Sequence, residues 1–216
     1  MHGEPVRVEI GIGSAVGHLP TLPGVTDPLH TWSTGLLSAW DAPDHEQDSK
    51  RRSMLAHLDA HPDGMRRSCG AGHLTGSALV VDAGWTRGLL HLHKRLARWL
   101  QMGGHTDDAD ATLAATALRE ATEESGMGGL RLASDRPVDL DIHPLHCPAG
   151  VPNRHLDVRW LVVAPTEAVP VQSTESLALR WFPLDDLAST DAARIPDAIV
   201  DDSVRRLARL ALALRP

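Results

Sequence analysis

Three glutamates stand close together in the middle of the chain. Glu120, Glu123 and Glu124 lie at i, i+3 and i+4 in the run from Leu113 to Gly126. A helix there projects all three carboxylates from one side. Leu113, Ala114, Ala117, Leu118 and Ala121 give the opposite side an apolar character. Like charges at this spacing repel, each pair costing about 0.2–0.5 kcal/mol on an isolated helix, and alternating signs would serve a purely structural face better. Clustered hard oxygen donors are what Mg2+ or Mn2+ takes. The plain alternative is a solvated acidic face.

The surroundings weigh against that alternative. Gly103-Gly104-His105 precedes the run, and Arg119-Glu120-Ala121-Thr122-Glu123-Glu124-Ser125-Gly126-Met127 carries it. The segment resembles the Nudix box, G-x5-E-x7-R-E-U-x-E-E-x-G-U, where U is a bulky apolar residue. Gly104 matches the leading glycine, and Arg119 to Met127 match the distal half in register, with Ala121 a small choice for U. There are two departures. Asp110 stands where the first glutamate belongs, and eight residues instead of seven separate it from Arg119. The catalytic register is intact, while the role of Asp110 is left open. The likeness to a bacterial branch of Nudix proteins continues through Gly72-His73-Leu74-Thr75, His93-Lys94, Trp99-Leu100-Gln101, His155-Leu156-Asp157-Val158-Arg159, and Glu175-Ser176 ahead of Arg180-Trp181-Phe182-Pro183. It spans roughly residues 70–212.

The resemblance implies hydrolysis of a nucleoside diphosphate linked to another moiety, with Mg2+ or Mn2+ bound on the box helix. Cations there would neutralise the diphosphate and acidify a water, and in-line attack on phosphorus needs little covalent help from protein. By the same resemblance Glu123 and Glu124 are metal ligands, Glu120 is a third ligand or a base, and Gly103 offers a backbone carbonyl. Arg119 is expected to hold a box glutamate by a charge-assisted hydrogen bond. A base outside the box is common in the family, and Glu175, in the polar stretch before the last strand, is the expected one; a surface carboxylate is its bland reading. His73, His105, His155 and Asp157 recur at strand ends near the expected cleft and are candidate substrate contacts, as is Arg95 beside the box. Cys69 and His73 at C-x3-H spacing, and the group His143, His146 and Cys147, match no established zinc pattern. The same fold also serves non-catalytic binding modules and prenyl-diphosphate isomerases. The intact glutamates speak against the first, and the unsuitable contexts of Cys69 and Cys147 against the second.

These residues need elements to hold them. Residues 33–62 read as helical, with Asp44 and Gln47 forming a capping box. Leu74–Val81 and Leu89–His93, joined by Gly84–Gly88, read as a hairpin, and Trp99–Gln101 as a short strand. Residues 110–125 read as the box helix closed by Gly126. Strands are expected at 138–146, 155–164 and 177–182, and an amphipathic helix over 201–214. Alternation of Val6, Val8, Ile10 and Ile12 allows a short strand near the start. The expected class is α+β, a mixed sheet between helices: an arm and helical extension over 1–70, acting in packing or dimerisation, and a Nudix domain over 71–216.

Composition narrows the partners. The chain has 216 residues, Lys+Arg 21 and Asp+Glu 28, a formal charge of -7, where a general nucleic-acid binder is expected to be basic. Six Trp, one Phe and no Tyr leave little for stacking bases. A small nucleotide-derived diphosphate is therefore expected as substrate instead of long RNA. No apolar run reaches the roughly 18 residues of a membrane span, and two cysteines form no disulfide framework, so the expected setting is cytoplasmic.

Overall fold

The structure is a computed structural model that describes residues 27–146, 152–173, 176–195 and 199–216. The alternating segment at 6–12 lies outside the described residues.

Among the described residues two helices come first, α1 (Pro28–Ala39) and α2 (His45–Ala60). Asp27 caps α1, its carboxylate accepting from the Leu29 N–H, and Pro28 sits in the first turn, where its missing donor costs nothing. The sequence suggests helix over 33–62 with a capping box at Asp44. The chain leaves helix at Trp40 and re-enters after Asp44, whose carboxylate accepts from the Gln47 N–H at 2.8 Å.

Eight strands form one sheet: β1 (His73–Val81), β2 (Arg87–His93), β3 (Trp99–Leu100), β4 (Met102–His105), β5 (Arg131–Leu132), β6 (Asp139–His146), β7 (Pro152–Val163) and β8 (Ser176–Pro183). Between β4 and β5 runs α3 (Leu113–Ser125); α4 (Leu184–Ala188) and α5 (Asp202–Ala213) follow β8. The centre is β1, antiparallel to β2 and β4 on one side and parallel to β7 on the other, from His73 opposite His155 to Val81 opposite Val163. β7 also takes β5 and β6 antiparallel, and β2 takes β3 and β8. The sheet is mixed and lies between helices, the Nudix-type α+β arrangement expected from the sequence.

Strand periodicity of two sorts side chains onto two faces. Leu74, Ala78 and Val80 of β1, with Leu156, Val158, Trp160 and Val162 of β7, pack against Ala114, Ala117 and Ala121 of α3 and against Leu37, Met54 and Leu58 of the first helices. Leu79, Val81, Leu161 and Val163 pack on the other face against Leu184, Leu187, Val204, Leu207 and Ala211 of α4 and α5. The N-terminal helices thus share a core with the sheet. Two hydrogen bonds fix the contact further. The Gln47 amide pairs with the backbone of Leu140, accepting from its N–H at 2.7 Å and donating to its carbonyl at 3.0 Å, so that a side chain occupies the outer edge of β6. Trp40 Nε1 donates to the Pro137 carbonyl at 2.8 Å. Among the described residues no helix is long and apolar enough to cross a membrane.

Candidate active site on the box helix

The helix α3 is built to lie tight on the sheet. Thr112 caps its start, accepting from the Ala115 N–H at 3.0 Å, and Gly126 ends it in the left-handed conformation at φ 65°, donating to the Thr122 carbonyl. The helix backbone passes directly over Gly76. A Cβ there would lie 2.7 Å from the Leu113 carbonyl oxygen and 3.0 Å from the Ala117 nitrogen, so only glycine permits this approach.

Arg119 organises the outward face. Its Nε and Nη2 donate to the two oxygens of Asp110 over 2.9–3.3 Å, and Nη2 also reaches the His105 carbonyl at 2.8 Å. Its Nη1 donates to Glu120 Oε1 at 2.9 Å and Glu123 Oε2 at 3.1 Å. Asp110 is buried and accepts further from Thr116 Oγ1 and the Asp107 N–H, both at 2.9 Å. Burial alone would raise the Asp110 carboxyl. The Arg119 hydrogen bond, with the Asp107 N–H and the Thr116 hydroxyl, outweighs burial and holds it below the usual carboxylate range. The guanidinium is in turn held more firmly charged, first by Asp110. The aspartate that departs from the box pattern therefore anchors the box arginine, its shorter side chain still reaching across the lengthened loop.

Two of the glutamates are seated against β4. Glu124 is buried, and its Oε2 accepts from the Gly103 N–H at 2.8 Å. Glu120 lies on Gly104, where an added Cβ would come within 2.6 Å of its carboxylate. Glu123 is the open member, its side chain 59% exposed. Behind Glu124 is His91 of β2, its Nδ1 3.5 Å from Oε1. Burial, then the His93 ring, pushes His91 down to about 4, so it is neutral at pH 7 and backs the carboxylate without neutralising it. His91 is a site residue the sequence reading missed; its only signal is its place on β2, two residues before His93.

The family model of the NUDIX domain matches residues 76–202, more than half of the chain. This chain belongs to the Nudix family. Among solved structures it is similar to a NUDIX-family hydrolase from Clostridium perfringens, at 24% identity and TM-score 0.46, over 66% of this chain and 97% of that one. It is similar also to a C. elegans Ap4A hydrolase in a binary complex, at 21% identity and TM-score 0.47, over 65% of this chain and 95% of that one. A third is a NUDIX hydrolase from Alicyclobacillus acidocaldarius, at 16% identity and TM-score 0.48, over 66% of this chain and 92% of that one. No curated protein sequence matches the chain significantly.

Glu175 lies outside the described residues. Arg95 is exposed on the turn between β2 and β3, where its backbone N–H donates to His93 Nδ1 at 3.3 Å. Asp157, expected to touch substrate, is buried inside the sheet. Its oxygens accept from Thr75 Oγ1 at 2.9 Å, Ser77 Oγ at 2.7 Å and Arg159 Nε at 2.7 Å. The reason is register: Asp157 pairs with Thr75 on β1 and with Asp141 on β6, in the middle of three strands. Arg159 also pairs with Asp141 at 2.9 Å and Asp139 at 3.5 Å. At Asp141 burial is outweighed by the His143 hydrogen bond and the Arg159 charge, which hold its carboxyl well below the usual range; at Asp139 burial wins over both arginines that face it, Arg159 and Arg206, and raises it.

His73, His105 and His155 come together on that same face. Their ring centroids are 4.9–5.0 Å apart, and Nε2 of His105 and His155 are 3.2 Å apart. Burial, then the Arg67 charge, pushes His73 down to about 4; burial, then His73, does the same to His105; burial, then His105, takes His155 to about 2.

Proposed function

We propose that this Nudix protein hydrolyses a diphosphate linkage in a small nucleotide-derived molecule by attack of water on phosphorus, using a divalent cation, Mg2+ or Mn2+, held on α3. The observation that carries the reading is the seating of the carboxylates. Glu124 is fixed by the Gly103 N–H, Glu120 lies on Gly104, and Arg119 spans Glu120 and Glu123 while itself anchored to buried Asp110. Glu120, Glu123 and Glu124, with the carbonyl of Gly103, make a hard oxygen donor set suited to such a cation.

When bound, the cation neutralises charge on the diphosphate and lowers the pKa of a water. The chain's own part is to orient and to move a proton. Asp110 and the His105 carbonyl hold the Arg119 guanidinium in place, and that guanidinium keeps Glu120 and Glu123 side by side. His91, neutral and buried, excludes water from behind Glu124 without competing for its charge. The proton of the attacking water is taken by Glu175, or by Glu120 where Glu175 serves only the substrate loop. Substrate contacts are assigned to neither His73 nor Asp157, because both side chains are buried.

The test is a panel of diphosphates assayed with Mg2+ and scored by product identity, run on the wild type and on Glu124→Gln. The substitution keeps shape and removes charge, so turnover should fall by about 100-fold or more. Near-normal turnover of the variant on the true substrate sinks the reading. A pH–rate profile of Glu175→Gln then assigns the base: loss of the acidic limb places it at Glu175, and survival of the limb with a changed KM places it at Glu120.

A further inference from the structure

We propose that His73, His105 and His155 form a binding site for a transition-metal dication of the Zn2+ class, on the opposite side of the sheet from the Nudix helix carboxylates.

Three neighbouring strands supply the ligands. His73 opens β1, His155 is its parallel partner on β7, and His105 ends β4 opposite Thr75. Strand alternation turns Leu74, Gly76 and Gly104 towards α3 and turns His73, Thr75 and His105 away from it. The ring contacts among the three histidines agree with that sorting. One nitrogen from each ring lies within 4.8 Å of the other two. Two ligands at the usual Zn–N distance of about 2.0–2.1 Å in a tetrahedral shell are about 3.3 Å apart, and the Nε2 atoms of His105 and His155 are separated by 3.2 Å. Bare, the two nitrogens must share one proton; a cation between them would take both lone pairs. His73 supplies the independent sign of a ligand. It is 2% exposed, yet neither ring nitrogen has a hydrogen-bond partner, an arrangement that buried polar groups seldom tolerate without a partner or ion.

The chemistry of the donors separates this site from the one on α3. Three imidazoles suit Zn2+, Cu2+ or Ni2+, whereas Mg2+ prefers oxygen. Three protein ligands leave a fourth position for water or substrate. All three rings are neutral at pH 7, the form that ligates. A second group, His61, Asp63 and Cys69, also brings three ligand atoms together. It is the weaker choice, because burial pushes the Cys69 thiol up and away from the thiolate that binds metal.

The full chain, stripped by chelator, is loaded with Zn2+ or Co2+ in excess Mg2+, passed over a desalting column and analysed for metal. The wild type should retain about one equivalent, as should Glu124→Gln and Cys69→Ser. His105→Gln and His155→Gln should bind at least about tenfold more weakly. Circular dichroism of the metal-free variants checks their folding. A measurement on the wild type alone serves if either variant does not fold: the ring nitrogen signals of His73, His105 and His155 should shift together on adding Zn2+. Failure of the wild type to retain Zn2+ overturns the proposal. So does loss of the ion in Glu124→Gln, which places it on the Nudix helix, or in Cys69→Ser, which places it on the other cluster. None of these readings depends on turnover, so the result stands apart from the outcome for the diphosphatase.

Discussion

Among the described residues two arginines each gather three carboxylates, and they do opposite things with them. Arg119 holds Asp110, Glu120 and Glu123 on the outer side of α3, with its own side chain 28% exposed and Glu123 open to water. Arg159 holds Asp139, Asp141 and Asp157 on the other face of the sheet, with only 2% exposed. Buried charges must be neutralised where they sit, since desolvation of an unpaired ion costs several kcal/mol. The Arg159 group is closed by two further cations, Arg206 on Asp139 and Lys50 3.6 Å from Asp141, so that three positive side chains face its three carboxylates. The Arg119 group is left with a surplus of negative charge facing solvent, which suits it to a cation. Residue type alone does not separate an open acidic cluster from a closed one; burial and charge balance do.

The strongest test of that contrast is Arg159→Met. It leaves Asp139, Asp141 and Asp157 without their common partner, and unfolding free energy in denaturant should fall by about 3–5 kcal/mol. A loss below about 1 kcal/mol would mean that water reaches the cluster and that the contrast in burial is false. Next comes pH. The depressed pKa values of His73, His105 and His155 mean that the unfolded chain binds protons first as pH drops below 6.5. The stability these neutral rings carry is complete above that pH and is lost progressively as pH falls, towards about 4 for His73 and His105 and towards about 2 for His155. The charge of Arg67, which faces all three, works in the same direction. Thermal melts of the metal-free protein across this range check it, and a flat profile would place water around the rings.

Arg119→Lys should act on the other cluster and through activity. Lysine has no planar fork with which to hold Asp110 and span Glu120 and Glu123. Turnover or Mg2+ affinity should fall about 10–100-fold, with stability changing by about 1 kcal/mol at most. A loss in stability as large as that of Arg159→Met would erase the distinction between the two arginines. The smallest effect is expected at the start of the helix. Thr112→Ala removes the cap on Ala115 and should cost about 1 kcal/mol, read as a shift in denaturation midpoint with turnover little changed.

Most elements were legible because their signals are local. The spacing of Glu120, Glu123 and Glu124, the left-handed stop at Gly126, the hairpin of β1 and β2 and the amphipathic pattern of α5 each lie within one short window. The start of α2 was legible in the capping residues Asp44 and Gln47, whereas the start of α1 at Pro28, ahead of the expected residue 33, was not read although Asp27-Pro28 marks it. The short strand expected over Trp99–Gln101 stops before Gly103-Gly104, yet both glycines belong to β4, since the absence of side chains is what lets Ser77 and Glu120 come so close.

By itself the sequence determined the family and the helix that carries the three glutamates, because helical spacing and hydrogen-bonding residue types act over a few positions. Only the tertiary structure decided what lies across strands. It paired β1 with β7 in parallel, and that register set His73 beside His155 and Asp157 beside Thr75, more than 80 positions apart in the chain. It likewise put β6 next to β7, which gave Arg159 two of its three aspartates, Asp139 and Asp141, and brought His91 behind Glu124. Such contacts depend on which strands become neighbours and in what register. That choice is made by burying a shared core, and no window along the chain contains it.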